Sequence, residues 1–201
     1  MGIRDFTAPR RTLAAACAAL LALPLLARAA DIFDFIPEGG RTLMARVLAN
    51  RPLDAEASAL LAGKHTRDEW LAHLKGRAKA LPALQKLDDK QLLTLADYLS
   101  ANMPQAALKP AATSQAAWAK ALPPDGRDFV LDYCQGCHIV TVVVTQSRTK
   151  DAWLGSLGKP SHVQIKLKPA QREALASYLV INGGIPIDDV PEDLRAGGAT
   201  Y

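Results

Sequence analysis

Two stretches of the chain share one rhythm of apolar and polar positions. After Asp88, the residues Leu92, Leu95, Ala96 and Leu99 recur at three- and four-residue steps, which puts them on one face of a helix with Asp88 placed to cap it. After Pro169, Leu175, Tyr178 and Leu179 repeat that spacing. Pro169 suits the first helical turn, where its missing N–H has no intrahelical partner to lose. Upstream of each run stands a Trp-Leu pair, Trp70-Leu71 and Trp153-Leu154, two residues after Asp68 and Asp151, and each predicts a further helix start. Residues 139–145 are β-branched and have strand propensity, but no partner strand is evident, so an extended loop is predicted there. The pattern as a whole predicts an all-α fold.

The shared rhythm belongs to an internal repeat. Lys64-His65-Thr66-Arg67-Asp68-Glu69-Trp70-Leu71 matches Ser147-Arg148-Thr149-Lys150-Asp151-Ala152-Trp153-Leu154. In each copy a helix ending in Tyr-Leu follows, Tyr98-Leu99 leading to Asn102 and Pro104, Tyr178-Leu179 leading to Asn182 and Pro186. The entry points agree as well, Gly40-Arg41 against Gly126-Arg127. Between the copies, residues 104–124 are rich in Ala and Pro and predict a linker, with Trp118 a candidate to pin it to a domain. After Pro186 an extended, partly mobile tail is predicted. The division expected is residues 1–29 as a leader, 30–108 as the first copy, 109–123 as the linker, and 124–201 as the second copy with its tail.

Seven residues beyond the entry arginine the copies part. The first reads Leu48-Ala49-Asn50-Arg51-Pro52 and the second Cys134-Gln135-Gly136-Cys137-His138. C-x-x-C-H is the attachment signature of c-type haem. Cysteines three apart share one side of a helical turn, so both thiols can reach the vinyl groups of one porphyrin while His138 reaches the iron from beside them. A C-x-x-C pair can also be half of a zinc site or a dithiol redox centre. Zinc needs four ligands, and outside the pentad the chain offers only Cys17, His65, His73 and His162, none in a second paired spacing. A thioredoxin-like dithiol belongs after a strand in a βαβ unit, and no such alternation is visible.

On these residues, from about Pro124 to Pro186, the second copy resembles a class I cytochrome c domain. The resemblance rests on Gly126 and Val130 ahead of the pentad, on Leu175 and Tyr178 in the last helix, and on the segment Arg148-Thr149-Lys150-Asp151-Ala152-Trp153, which is similar to one found in single-haem subunits of periplasmic dehydrogenases. It implies two tandem cytochrome c-like helical domains of which only the C-terminal one carries haem c. Cys134 and Cys137 would hold that single haem covalently and His138 would be the proximal iron ligand. Gly126, Val130 and Tyr178 would make the close crossing of the first and last helices. Trp153, Arg148 and Lys150 are candidate partners of the haem propionates. The family usually supplies a distal methionine downstream of the pentad, whereas no methionine follows Met103 here and Pro160 stands near the usual place. The distal position therefore remains open among His162, Met103 or Met44 reaching across from the first copy, Lys159, and no sixth ligand at all.

Haem c attachment in such proteins takes place outside the bacterial cytoplasm, and the start of the chain agrees with export. Arg4, Arg10 and Arg11 form a basic region, residues 13–26 an Ala/Leu run, and Ala27-Arg28-Ala29 an A-x-A site, which together read as a signal peptide and predict a periplasmic protein. A twin-arginine signal at Arg10-Arg11 and a lipobox ending at Cys17 are rival readings of this leader. Without residues 1–29 the chain loses four basic residues and one acid, so 24 basic and 20 acidic residues become 20 and 19. The remaining balance gives no reason to expect nucleic-acid binding. No transmembrane span is expected in the mature chain. The expected function is single-electron transfer between redox partner proteins, as a free carrier or as the cytochrome subunit of a periplasmic dehydrogenase, rather than an enzyme in its own right. The alternative is a haem-based gas or ligand binder, or a weak peroxidase, using an open distal site.

Overall fold

A computed structural model describes Gly2, residues 31–110 and residues 112–195. The predicted leader with Cys17, and the last six residues, lie outside that range. Among the described residues there are helices and no strand, and no helix is long and apolar enough to cross a membrane.

The first repeat runs through α1 (Gly40–Leu48), α2 (Ala55–Ala62), α3 (Arg67–Arg77), a 3₁₀ turn (Pro82–Lys86) and α4 (Asp89–Asn102). Helix α5 (Gln115–Ala121) follows. The second repeat comprises α6 (Gly126–Phe129), a π-helical turn (Val130–Cys134), α7 (Thr141–Val144), α8 (Lys150–Leu157), α9 (Pro160–Val163) and α10 (Pro169–Asn182). Capping explains most of the starts. Asp88 caps α4 in a reciprocal box with Gln91. The caps of α3 and α8 are Thr66 and Thr149, two residues earlier than the aspartates the sequence suggested; Asp68 and Asp151 lie in the first turns, where their charge faces the positive end of the helix dipole.

Each repeat crosses its first and last helices at a glycine. A Cβ on Gly40 would lie 2.1 Å from the Tyr98 Cβ, and one on Gly126 would lie 2.1 Å from the Tyr178 Cβ, so only hydrogen fits at either crossing. The two tyrosines then reach out of their own repeats. Tyr98 donates to the Pro123 carbonyl at 2.9 Å, and Tyr178 to the Pro37 carbonyl at 2.5 Å. Burial, with Asp125 nearby, pushes both phenols up.

The segment leading into each repeat packs on the other one. Ile36, 2% exposed, belongs to the core of the second repeat, and Arg127 holds its segment by donating to the carbonyls of Phe33 and Ile36. Trp118 and Leu122, in and just after α5, belong to the core of the first repeat. The predicted linker thus contains a helix that helps complete the first core. Helices α4 and α10 pack against each other, joined by a buried pair in which the Asn182 amide donates to the Thr94 hydroxyl at 3.0 Å.

Two local expectations are corrected. Residues 139–145 are not an extended loop: Val144 and Thr145 N–H groups donate to the carbonyls of Val140 and Thr141, closing the short helix α7. With no neighbouring strand to pair with, helical i→i+4 bonds are what satisfies this backbone. Residues 187–194 are not extended but form two 3₁₀ turns, Ile187–Asp189 and Glu192–Leu194, with Val190 buried and the Thr141 hydroxyl donating to the Leu194 carbonyl at 2.6 Å.

Candidate functional site

The first helix of the second repeat changes form as it approaches the pentad. Asp125 caps α6, and the helix then widens into the π turn that ends at Cys134. Such widenings concentrate at functional sites. One more turn is closed by the Cys137 and His138 N–H groups, which both donate to the Cys134 carbonyl, at 3.3 and 3.0 Å. The turn brings both cysteines to the same cleft. Both are free thiols, Cys134 half-buried and Cys137 exposed. Burial, and then Cys137, pushes the Cys134 thiol up to about 11. A dithiol redox pair needs the opposite, a depressed value that exposes a thiolate.

The cleft is open to solvent. Tyr133, Val142, Val143, Trp153, Leu157 and Leu179 supply an apolar wall, and Arg148 and Lys159 add positive charge. The Arg148 guanidinium lies 5.1 Å over the Trp153 ring and donates to the Ser156 hydroxyl. The Trp153 indole N–H is buried without a hydrogen-bond partner, so the cleft wall carries an unused donor. Trp70 and Trp118 carry the same orphan, but neither lines this cleft.

His138 and His162 both line the cleft, with ring centroids 6.0 Å apart and planes inclined at 52°. His162 Nδ1 lies 2.9 Å from the Ser156 carbonyl. With that nitrogen as the N–H donor, Nε2 keeps the lone pair, which is the arrangement metal-ligating histidines adopt. Two thiols on one turn, two imidazoles, an apolar wall and the basic side chains of Arg148 and Lys159 line one cleft, a donor set whose chemistry fits a haem.

Lys159, another candidate for the distal position, also lines the cleft, whereas the methionines do not. Met44 and Met103 are both buried in the core of the first repeat and do not line it. Lys150 pairs with Glu173 at 2.8 Å and is not among the lining residues. His65 and His73 stack on each other in the first repeat, 4.3 Å between ring centroids. Among the described residues no three or more His, Cys, Asp or Glu side chains lie close enough together to hold one metal ion. Sequence reasoning missed Ser156, whose carbonyl orients His162, and Arg172, whose guanidinium gathers carbonyls from the connection that carries His162. A position-by-position comparison of the repeats carries a signal for Arg172, because Leu92 stands at its place in the first copy. No protein-family model, curated protein or solved structure matches this chain.

Proposed function

We propose that this chain is an exported, periplasmic monohaem c-type cytochrome that passes single electrons between redox partner proteins, either as a free carrier or as the cytochrome subunit of a periplasmic dehydrogenase. The observation that carries the reading is one cleft lined by both thiols of the C-x-x-C-H turn and by two imidazoles 6.0 Å apart. Cys134 and Cys137 would hold the haem c covalently, and His138 and His162 would supply nitrogen ligands to its iron. The bound haem supplies a one-electron ferric/ferrous couple.

The protein's own residues do the rest. Tyr133, Val142, Leu157 and Leu179 keep water from the wall of the cleft, and a dry wall disfavours the extra positive charge of the oxidised state. Arg148 and Trp153 offer a cation and an indole N–H to acidic groups at the rim. Ile139 and Val163, 49% and 61% exposed, immediately follow the two histidines and provide apolar surface for a brief encounter with a partner. Two nitrogen ligands give a lower potential than the His/Met pair usual in the family, and they close the distal side to small ligands.

A redox titration of the purified protein, with carbon monoxide added to the reduced form, separates this reading from the gas-binding or peroxidase alternative. A reversible one-electron transition and a reduced protein that does not take up carbon monoxide at neutral pH are expected. Fast, stoichiometric uptake would favour the open-site alternative instead.

A further inference from the structure

The connection between α8 and α10 carries His162 yet has little packing of its own. His162 is half-buried, its neighbours Ser161, Val163 and Gln164 are exposed, and α9 contributes no buried residue. Backbone of this kind opens readily unless something ties it down. Arg172, in the second turn of α10, does so. Its Nη1 donates to the Leu157 carbonyl at 2.6 Å. Its Nη2 lies within bonding distance of the carbonyls of Ile165 (2.9 Å), Val163 (3.2 Å) and His162 (3.3 Å). Nε donates to the Leu167 carbonyl at 3.3 Å. One planar cation thereby collects the carbonyls at the ends of α8 and α9 and of the stretch of chain after them. Carbonyls at helix ends have no intrahelical partner and attract positive charge.

We propose that Arg172 is the positioning residue for the distal ligand: its guanidinium fixes the 157–167 connection so that His162 is held over the cleft. This rests on the reading of His162 as that ligand. Two anchors act on the one residue, Arg172 on its backbone carbonyl and the Ser156 carbonyl on its Nδ1. The internal repeat supplies the contrast. In the first copy, Leu92 occupies the position of Arg172 and is partly buried against the core, while the matching connection turns Leu81 and Leu84 inward, both 1% exposed or less. A connection anchored by leucines needs no arginine. The connection that presents His162 is anchored by Leu157 and Leu167 only at its ends, with Ile165 partly buried, and across its middle a fork with five N–H donors takes the place of buried leucines. Lysine keeps the charge at this position but presents its donors from a single nitrogen, so it cannot span these carbonyls.

The test uses the haem-loaded full chain with Arg172→Gln, Arg172→Lys, His162→Ala and the double variant Arg172→Gln/His162→Ala. Readouts are the ferric absorption spectrum, the rate of carbon monoxide binding to the reduced protein, and amide hydrogen exchange in residues 159–167 and in α4. The wild type is expected to be low-spin. Both Arg172 variants should acquire a high-spin component, and their carbon monoxide rate should rise about tenfold or more, because the rate follows the fraction of molecules with the distal side open. Exchange should quicken in residues 159–167 and stay unchanged in α4, and the double variant should bind no faster than His162→Ala. If both Arg172 variants keep the low-spin spectrum and the wild-type rate while His162→Ala loses both, Arg172 is merely structural and the proposal fails alone. If His162→Ala itself keeps them, the assignment of the distal ligand fails and the proposal goes with it.

Discussion

The two repeats share a scaffold and differ in what occupies its middle. The crossings of Gly40 with Tyr98 and of Gly126 with Tyr178 are the same, the Thr-capped helices carrying Trp70 and Trp153 are the same, and α4 and α10 are each 14 residues long. In the first repeat the centre is filled by leucines. Leu48, at the position of Cys134, is fully buried, as are Leu60, Leu74 and Leu99, whose counterparts Val143, Leu157 and Leu179 line the cleft of the second. Leu81 and Leu84, in the connection that precedes α4, are also fully buried. One helical frame thus either collapses on its own side chains or leaves room for a large flat group, and a few positions decide which.

The contrast can be broken most strongly at the paired tryptophans. Trp70→Ala is expected to cost about 3–5 kcal/mol of stability, since the ring is almost fully enclosed by protein, and to leave the visible spectrum unchanged. Trp153→Ala should cost less, because part of its surroundings is cleft, and should shift the spectrum. Urea unfolding of the haem-loaded variants, followed both at the Soret band and by far-ultraviolet circular dichroism, checks this. Equal losses with both spectra unchanged would mean that the repeats are not divided into a filled one and a receptive one.

A second, smaller asymmetry lies where the repeats meet. Asp125 corresponds to Gly39, and a Cβ at Gly39 would fall 2.1 Å from the Asp125 Oδ2, so the glycine makes room for the carboxylate. Asp125 caps its own helix through the Asp128 N–H and accepts from the Arg41 N–H of the other repeat at 2.7 Å. Burial, and then the Asp128 carboxylate, raises it to about 6. A carboxyl raised in the fold binds its proton more tightly there than in the unfolded chain. Its contribution to stability is therefore complete below about pH 4 and is lost as the pH rises through 6. Relative to Asp125→Asn, the wild type should lose stability between pH 4 and pH 7, because the folded chain holds the proton more tightly than the unfolded one. Parallel unfolding curves of the two proteins across that range would contradict it.

How much of this was legible in the sequence follows from whether the cause is local. Caps, the Tyr-Leu helices and the repeat itself could be read because each depends on residues three or four apart, as with Asp88 and Gln91 or Pro169 at the start of α10. That Cys134 and Cys137 share one turn could be read because it depends only on residues three apart. The exchange of leading segments could not, since nothing near Ile36 tells it to pack against residues around Phe129 and Val130 instead of the repeat it precedes. Helix α7 was hidden by its own propensity, its valines and threonines favouring a strand that has no neighbour. Arg172 was hidden because Gln171-Arg172-Glu173 reads as a solvated helix face, and its role emerges only when the 157–167 connection folds over it.

The central claim is that the second repeat carries a covalent haem and the first does not. Intact and peptide-level mass spectrometry of the exported protein tests this most directly. The expected result is the mass of one haem added per chain, found only on the peptide containing Cys134, Cys137 and His138. A chain with no added mass, or an addition on any other segment, would contradict the account.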